Sequence, residues 1–225
     1  MNFPKPGDYI DIHNHGASSA TGHFSVENLM AHEVRIPDNQ TGLAYTIGIH
    51  PWHLTAENCL QQINNVREYS DHPGIIALGE AGFDRLRGPS AILQRSAFEE
   101  QVRIADQVSK PLFIHCVRAW DELQSEKKKL KPSTPWIVHG FRGKKELALQ
   151  LISKGMYISF WFDFILRPES SQLVRNLPKD KIFLETDGSG VDILIVYQKV
   201  ADDLNMHVEE LKKLLYSNFR NVFQE

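Results

Sequence analysis

Tyr9-Ile10-Asp11-Ile12-His13-Asn14-His15 is the stretch on which the fold turns. It starts as an apolar run and ends in two histidines, and the same pattern returns down the chain. Leu43–Ile49 runs into His50-Pro51-Trp52-His53, and Ile75–Leu78 into Gly79-Glu80-Ala81-Gly82-Phe83-Asp84. Pro111–His115 closes on a histidine, Trp136–Val138 leads to His139, and Lys181–Leu184 leads to Glu185-Thr186-Asp187. With Met156–Phe160 these make seven runs rich in Ile, Val, Leu, Phe or Tyr. Their hydrophobicity is continuous rather than alternating, which suits strands buried on both faces of a parallel sheet.

Between the runs, apolar residues fall at three- and four-residue spacing among charges, the pattern of amphipathic helices. Helices are expected over Ala56–Ser70, Ala91–Ser109, Ala119–Leu130, Lys144–Lys154, Glu169–Asn176, Val191–Leu204 and Val208–Val222. Alternating strand and helix implies an α/β fold, and about eight repeats over this length imply a TIM-type (β/α)8 barrel. The eighth strand has to come from Phe24–Leu29, in a poorly patterned stretch, so a distorted barrel with a short second strand is expected. A doubly wound open sheet is the alternative. It calls for a glycine-rich phosphate loop after the first strand, and His13-Asn14-His15-Gly16 is not one.

The 225 residues suit one domain spanning 1–225. A net charge of -3 gives no general attraction to nucleic acid or anionic membrane, so a polyanionic substrate would need a local cationic site. Two cysteines, Cys59 and Cys116, do not make a disulfide framework. The first residues lack the apolar run of an export signal and no stretch is long enough to span a bilayer. A cytoplasmic enzyme without a membrane or an obligate protein partner is expected.

In a parallel barrel the C-terminal ends of all strands open on one face, where the active sites of this fold lie. His13, His15, Glu80, His115, His139 and Asp187 would therefore converge, although they are far apart in sequence. His13 and His15 are two residues apart on a strand, so both imidazoles point the same way. A lone His-x-His is weak evidence of a metal; four further ligands at strand ends change that. Six ligands exceed what one catalytic zinc takes, whereas two ions sharing Glu80 would use them all. Such a pair, about 3.5–4 Å apart, activates a water and stabilises the attacking and leaving oxygens. Four imidazoles and two carboxylates suit Zn²⁺, Mn²⁺, Fe²⁺ or Co²⁺ better than Mg²⁺. The expected cofactor is thus two divalent ions, with Zn, Mn or Mg as candidates.

These motifs, in this order, resemble the TatD family of metal-dependent deoxyribonucleases within the amidohydrolase superfamily. The resemblance rests on Asp11, His13 and His15; Gly79, Glu80, Gly82 and Asp84; Ile114 and His115; His139, Phe141 and Gly143; and Glu185, Thr186 and Asp187. It implies a barrel holding two ions and hydrolysing DNA phosphodiesters, often as a 3′ exonuclease. It further implies His13, His15, Glu80 and Asp187 around one ion and Glu80, His115 and His139 around the other. Asp187, with Glu80, would be catalytic, orienting or deprotonating water. The chain departs from the family at Val117-Arg118, where a basic residue would come one position earlier, and at Gly140 and Arg142. It departs also at Pro51-Trp52-His53, at Gly188-Ser189-Gly190 in place of an Ala-Pro segment, and in a shortened stretch from Gly16 to Thr41.

Around the ligands, Asp11 and Asp84 are candidates to sit behind them, Asp11 as an acceptor for a ligand imidazole N–H. Arg118 and Arg142 are candidates for phosphate contact, as are His50 and His53, one of which Pro51-Trp52 marks as packed structurally. Trp52 and Phe141 could stack on a base, although aromatics near a barrel rim more often serve packing. Lys127-Lys128-Lys129 reads as a solvated helix end. A phosphodiesterase acting on DNA or a small phosphodiester is the first expectation. A hydrolase of amides, lactones or small phosphoesters with the same metal site is the alternative, and loss of a ligand, which would mark a non-catalytic module, is not seen.

Overall fold

The computed structural model describes residues 3–16, 20–35 and 40–223. Eight strands follow one another: β1 Tyr9–Asn14, β2 His23–Met30, β3 Leu43–Gly48, β4 Ile75–Asp84, β5 Leu112–Val117, β6 Trp136–Phe141, β7 Met156–Phe160 and β8 Ile182–Leu184. They are hydrogen-bonded in chain order in one parallel sheet. The last strand returns to the first, where the Asp187 N–H donates to the His13 carbonyl at 3.1 Å. This order is that of the expected barrel and overturns the doubly wound alternative, whose strand order reverses midway.

The helices are α1 Cys59–Tyr69, α2 Ala91–Gln107, α3 Trp120–Leu130, α4 Lys145–Ser153, α5 Phe162–Ile165, α6 Ser170–Asn176, α7 Ile193–Leu204 and α8 Val208–Phe223. The α1 boundary falls later than expected, at Cys59, after a turn in which Thr55 and Asn58 bond each other's backbone N–H reciprocally, at 2.8 and 3.3 Å. The single turn α5 was not expected; its Phe162, Phe164 and Ile165 simply extend the apolar run of β7. Among the described residues no helix separates β1 from β2 or β2 from β3, but β2 runs for eight residues, longer than Phe24–Leu29, which corrects the expectation of a short second strand. Residues 17–19 and 36–39, within the stretch expected to be shortened, lie outside the described residues.

Contacts group the chain into two compact units: Asn28–Asp38 with Tyr45–Val138, and Asn2–Glu27 with Asn39–Ala44 and His139–Glu225. In the first, Phe98 of α2 packs on Phe83 of β4 at 4.8 Å between ring centroids and edge-on to Trp136 of β6 at 5.3 Å. Aromatic pairs of this kind add about 0.5–1.5 kcal/mol each beyond their buried area. In the second, Phe219 of α8 meets Phe24 of β2 edge-on and stacks on Phe223. The Tyr197 hydroxyl of α7 accepts from the Ile10 N–H at 2.9 Å and donates to the Ile10 carbonyl, so one side chain satisfies both backbone groups of a β1 residue.

Two irregularities in this sheet serve the site. The β4–β5 register shifts between Leu78 and Ala81, where Glu80 lies, and the β1–β2 register shifts between Asp11 and Asn14, where His13 lies. A bulge re-aims a side chain that regular pleating would send elsewhere. The apolar run expected to end at Leu78 continues as strand to Asp84, with all ten residues buried. Gly82 makes this possible, since a Cβ there would fall 1.9 Å from the His115 carbonyl oxygen of β5.

Candidate metal centre

In the unit that holds β4 and β5, Glu80 is 2% exposed and gathers two imidazoles. Its Oε2 lies 3.3 Å from His115 Nδ1 and 3.5 Å from His50 Nε2. His50, Glu80 and His115 each offer a ligand atom within 4.8 Å of the others, the spacing of a set that could hold a metal ion. Asn28 grips the carboxylate residue twice: its Nδ2 donates to Glu80 Oε1 at 3.1 Å, and its Oδ1 accepts the Glu80 backbone N–H at 2.9 Å. The Thr46 hydroxyl donates to that same Oδ1 at 2.8 Å, which fixes the amide orientation.

The imidazoles are oriented from behind. His50 Nδ1 accepts the Trp52 backbone N–H at 3.0 Å, so in the neutral ring the proton sits on Nε2, facing Glu80 and His115. Asp84 Oδ2 lies 3.4 Å from His115 Nε2 and accepts the Trp52 indole N–H at 2.6 Å, while its Oδ1 accepts from Leu86 N and Arg87 N. Burial opposes ionisation of Asp84, but hydrogen bonds from Trp52, Leu86 and His115 outweigh it and hold its pKa below the ordinary value. An ionised Asp84 takes the Nε2–H of His115 and presents Nδ1 as the electron-pair face.

In the other unit Asp187 lies beside His13 and His15, its Oδ1 3.5 and 3.3 Å from their Nε2 atoms. Asp187 has a left-handed φ of 50°, a conformation uncommon outside glycine. Burial raises its carboxyl pKa, but hydrogen bonds from His13 and His15 and the charge of His139 outweigh that and drive it well below the usual range. The His139 ring lies tilted against that of His13, 4.3 Å between centroids, and approaches Glu185 at 3.6 Å through Nδ1. Glu185 is fully buried; its Oε1 accepts the Gly140 N–H at 2.8 Å and its Oε2 has no hydrogen-bond partner among the described residues. His13, His15 and Asp187 form one set of potential ligands here, and His139, Glu185 and Asp187 another. Burying so many ionisable groups costs several kcal/mol unless a partner of opposite charge compensates, and a divalent cation fits this donor set.

Asp11 sits where a ligand support was expected but bonds differently. Its oxygens accept the Thr186 N–H at 3.0 Å, the Thr186 hydroxyl at 2.5 Å and Asn14 Nδ2 at 2.8 Å, so it braces the turn that carries Asp187 rather than a ligand imidazole. Burial pushes its pKa up to about 6. Phe141 is fully buried, edge-on to Phe160, so of the two readings it is packing rather than base stacking. Trp52 is 42% exposed, with the Arg87 guanidinium 4.1 Å over its ring. His53 stacks on His32 at 4.2 Å, burial and the neighbouring His32 charge lowering its pKa. Arg142 lies over Trp161 at 4.6 Å, and Arg118 is exposed, with a left-handed φ of 52°. Lys127 covers Trp136 and Lys129 pairs with Glu99 at 2.6 Å, so the basic run is a structured helix face. The sequence reading assigned no role to Asn28 or His32 and gave Glu185 only a motif position. A single buried Asn in a weak strand leaves no spacing signal; Glu185, in a motif between two strand-end residues, did offer one.

A family model described as TatD related DNase matches residues 26–224. The chain is 29% identical over 161 residues to a deoxyribonuclease Tat-D of Schizosaccharomyces pombe, covering 66% of this chain and 52% of that protein. It is 28% identical over 165 residues to a 3'-5' ssDNA/RNA exonuclease TatD of Pantoea vagans, covering 69% and 62%. The chain thus spans between half and two thirds of the length of these curated relatives. Among solved structures it resembles YJJV, a TatD homolog from Escherichia coli, with a TM-score of 0.79 at 20% identity, over 98% of this chain and 100% of that one. A hydrolase of the TatD family from Entamoeba histolytica gives 0.74 at 17% identity, over 96% and 98%. At such identities these structures speak for the fold.

Proposed function

The chain belongs to the family of TatD-related DNases, and from that premise we propose that it is a single-domain hydrolase using two divalent ions, Zn²⁺ or Mn²⁺ in preference to Mg²⁺, to cleave phosphodiesters in DNA. The observation that carries this is the gathering of His13, His15 and Asp187 in one set and of Glu80 and His115, with His50 beside them, in another. The mixture of imidazole and carboxylate favours those ions over one that prefers oxygen alone. Two bound ions would supply an activated water and positive charge for the attacking and leaving oxygens.

The residues themselves divide the remaining work. Glu80 and Asp187 are the proposed catalytic carboxylates, with Asp187 orienting the water through the oxygen that faces His13 and His15. His115 and His139 complete the ligands. His50 is proposed as a substrate donor: with Nδ1 taken by the Trp52 N–H, its Nε2–H faces Glu80 and His115, and a phosphate oxygen bound there would take that hydrogen bond in their place. His53, Arg118 and Arg142 are the proposed further contacts to the substrate backbone, Asp84 holds His115, and Trp52 offers an exposed ring to a base. The two thiols are free, which fits a reducing cytoplasmic setting. Among the described residues no helix is long and apolar enough to cross a membrane.

The test is metal analysis of the purified chain together with turnover of single-stranded DNA and bis-p-nitrophenyl phosphate by Glu80→Gln and Asp187→Asn. Both substitutions keep side-chain size and remove charge, and each is expected to lower kcat by about a hundredfold or more. Unchanged turnover in both variants rules the reading out. A panel that adds amide and lactone substrates separates a phosphodiesterase from a hydrolase of those bonds.

A further inference from the structure

A cavity of about 340 Å³ opens beside His15. Its wall includes Asn14, His23 and Ser25 on one side and Gly188, Gly190 and Asp192, before α7, on the other. Among the described residues no helix lies between β1 and β2 in the chain. The stretch after Asp187 adds no bulk: Gly188 and Gly190 have left-handed φ of 66° and 77° and no side chains. Gly188 cannot be replaced freely, since a Cβ there would lie 2.9 Å from the His15 Cβ, whereas a Cβ at Gly190 would meet nothing within 4 Å.

The chemistry of the lining selects its occupant. Asp11 and Asp192 contribute carboxylates, and no Lys or Arg lines the cavity, so a phosphate is repelled and a neutral donor group is favoured. His23 Nδ1 is buried and has no hydrogen-bond partner among the described residues, although its ring stacks on Tyr9 at 5.5 Å. Asp192 Oδ1 caps the Leu194 N–H at 3.0 Å, and Ser25 adds a hydroxyl. The volume lies near the lower end of the roughly 300–1,000 Å³ of small-molecule sites, enough for one sugar with its base. His15, whose side chain is 36% exposed, joins this space to Asp187.

We propose that this cavity is a nucleoside subsite, holding the sugar and base next to the phosphodiester while the phosphate goes to the ligand set that includes His15. The inference rests on the hydrolase reading above but can fail separately from it. Calorimetric titration of the metal-free full chain with thymidine, and separately with inorganic phosphate, reads the subsite without any turnover. Thymidine is expected to bind at least about tenfold more tightly than phosphate. Ser25→Leu, which fills the cavity while its backbone N–H keeps the Gly42 carbonyl, is expected to lower thymidine affinity by about tenfold or more. Asp192→Asn keeps a helix cap and removes a charge, so a folded variant is assured if Ser25→Leu proves insoluble; it is expected to weaken thymidine binding and not to weaken phosphate binding. A chain that binds thymidine yet cleaves no phosphodiester keeps the subsite and loses the hydrolase. A chain that cleaves bis-p-nitrophenyl phosphate but binds thymidine no better than phosphate, or binds it equally in both variants, overturns the subsite.

Discussion

Asp11 accepts both the backbone N–H and the side-chain hydroxyl of Thr186, at 3.0 and 2.5 Å, across 175 residues of sequence. This pair ties β1, which carries His13, to the turn that carries Asp187. Thr186→Val keeps the shape of the side chain and removes the hydroxyl that Asp11 and Asn14 both use. A buried carboxylate deprived of a charge-assisted bond costs about 1–3 kcal/mol. Urea unfolding should show a lower midpoint with an unchanged slope, and Thr186→Ser should recover most of the loss. Equal midpoints for Thr186→Val and the parent chain would mean that Asp11 does not depend on this hydroxyl.

Asn28 holds Glu80 by the backbone and the carboxylate at once. Asn28→Leu leaves both groups of Glu80 without that partner in a buried site, and a supporting residue of this kind typically changes metal affinity by about 10–100-fold. Competition with a metal-sensitive dye should show weakened metal binding, because Glu80 is a proposed ligand. Full-affinity binding of both ions in Asn28→Leu would discard a role for Asn28 at the metal.

The contrast between these residues says what a sequence can reveal. The strand ends were legible because each apolar run breaks into His, Glu or Asp at the same point of the repeat, and the strand order followed from that alternation. The second strand was the hardest to read, and Glu27 and Asn28, which interrupt its apolar pattern, are buried. At Asn28 the polarity goes with holding Glu80, which interrupts the apolar pattern. The tautomer of His50 depends on a backbone N–H two residues away, which spacing does not encode. For Phe141, one residue of register decides whether a strand-end aromatic faces the core or the rim. Asp11 was placed on the correct strand, yet its partner Thr186 emerges only when the two ends of the chain meet.

Removing divalent metal is expected to lower the thermal midpoint by several degrees. An ion that binds only the native chain adds RT ln(1 + [L]/Kd), about 2.7 kcal/mol when present at a hundred times its Kd. Zn²⁺ or Mn²⁺ returned to the stripped chain should restore the midpoint more fully than Mg²⁺ at equal concentration, given the imidazole-rich donor set. Calorimetric scans of stripped and reloaded protein that superimpose would leave no room for a metal in the native state.

Glu185 is the buried carboxylate whose part in the site the sequence left unassigned. One oxygen takes the Gly140 N–H and faces His139 Nδ1, and the other has no hydrogen-bond partner among the described residues. Two roles are open to such a group: to orient His139 from behind, or to touch the ion directly. Glu185→Gln keeps the acceptor for Gly140 and nearly the same volume, so the fold should lose no more than about 1 kcal/mol. Affinity for the ion bound by His139 should nevertheless fall by about 10–100-fold, since either role needs the negative charge. Glu185→Ala separates charge from support, because it also abandons the Gly140 N–H and should destabilise the chain measurably in urea. If Glu185→Gln binds metal as tightly as the parent while Glu185→Ala unfolds early, the carboxylate serves packing alone.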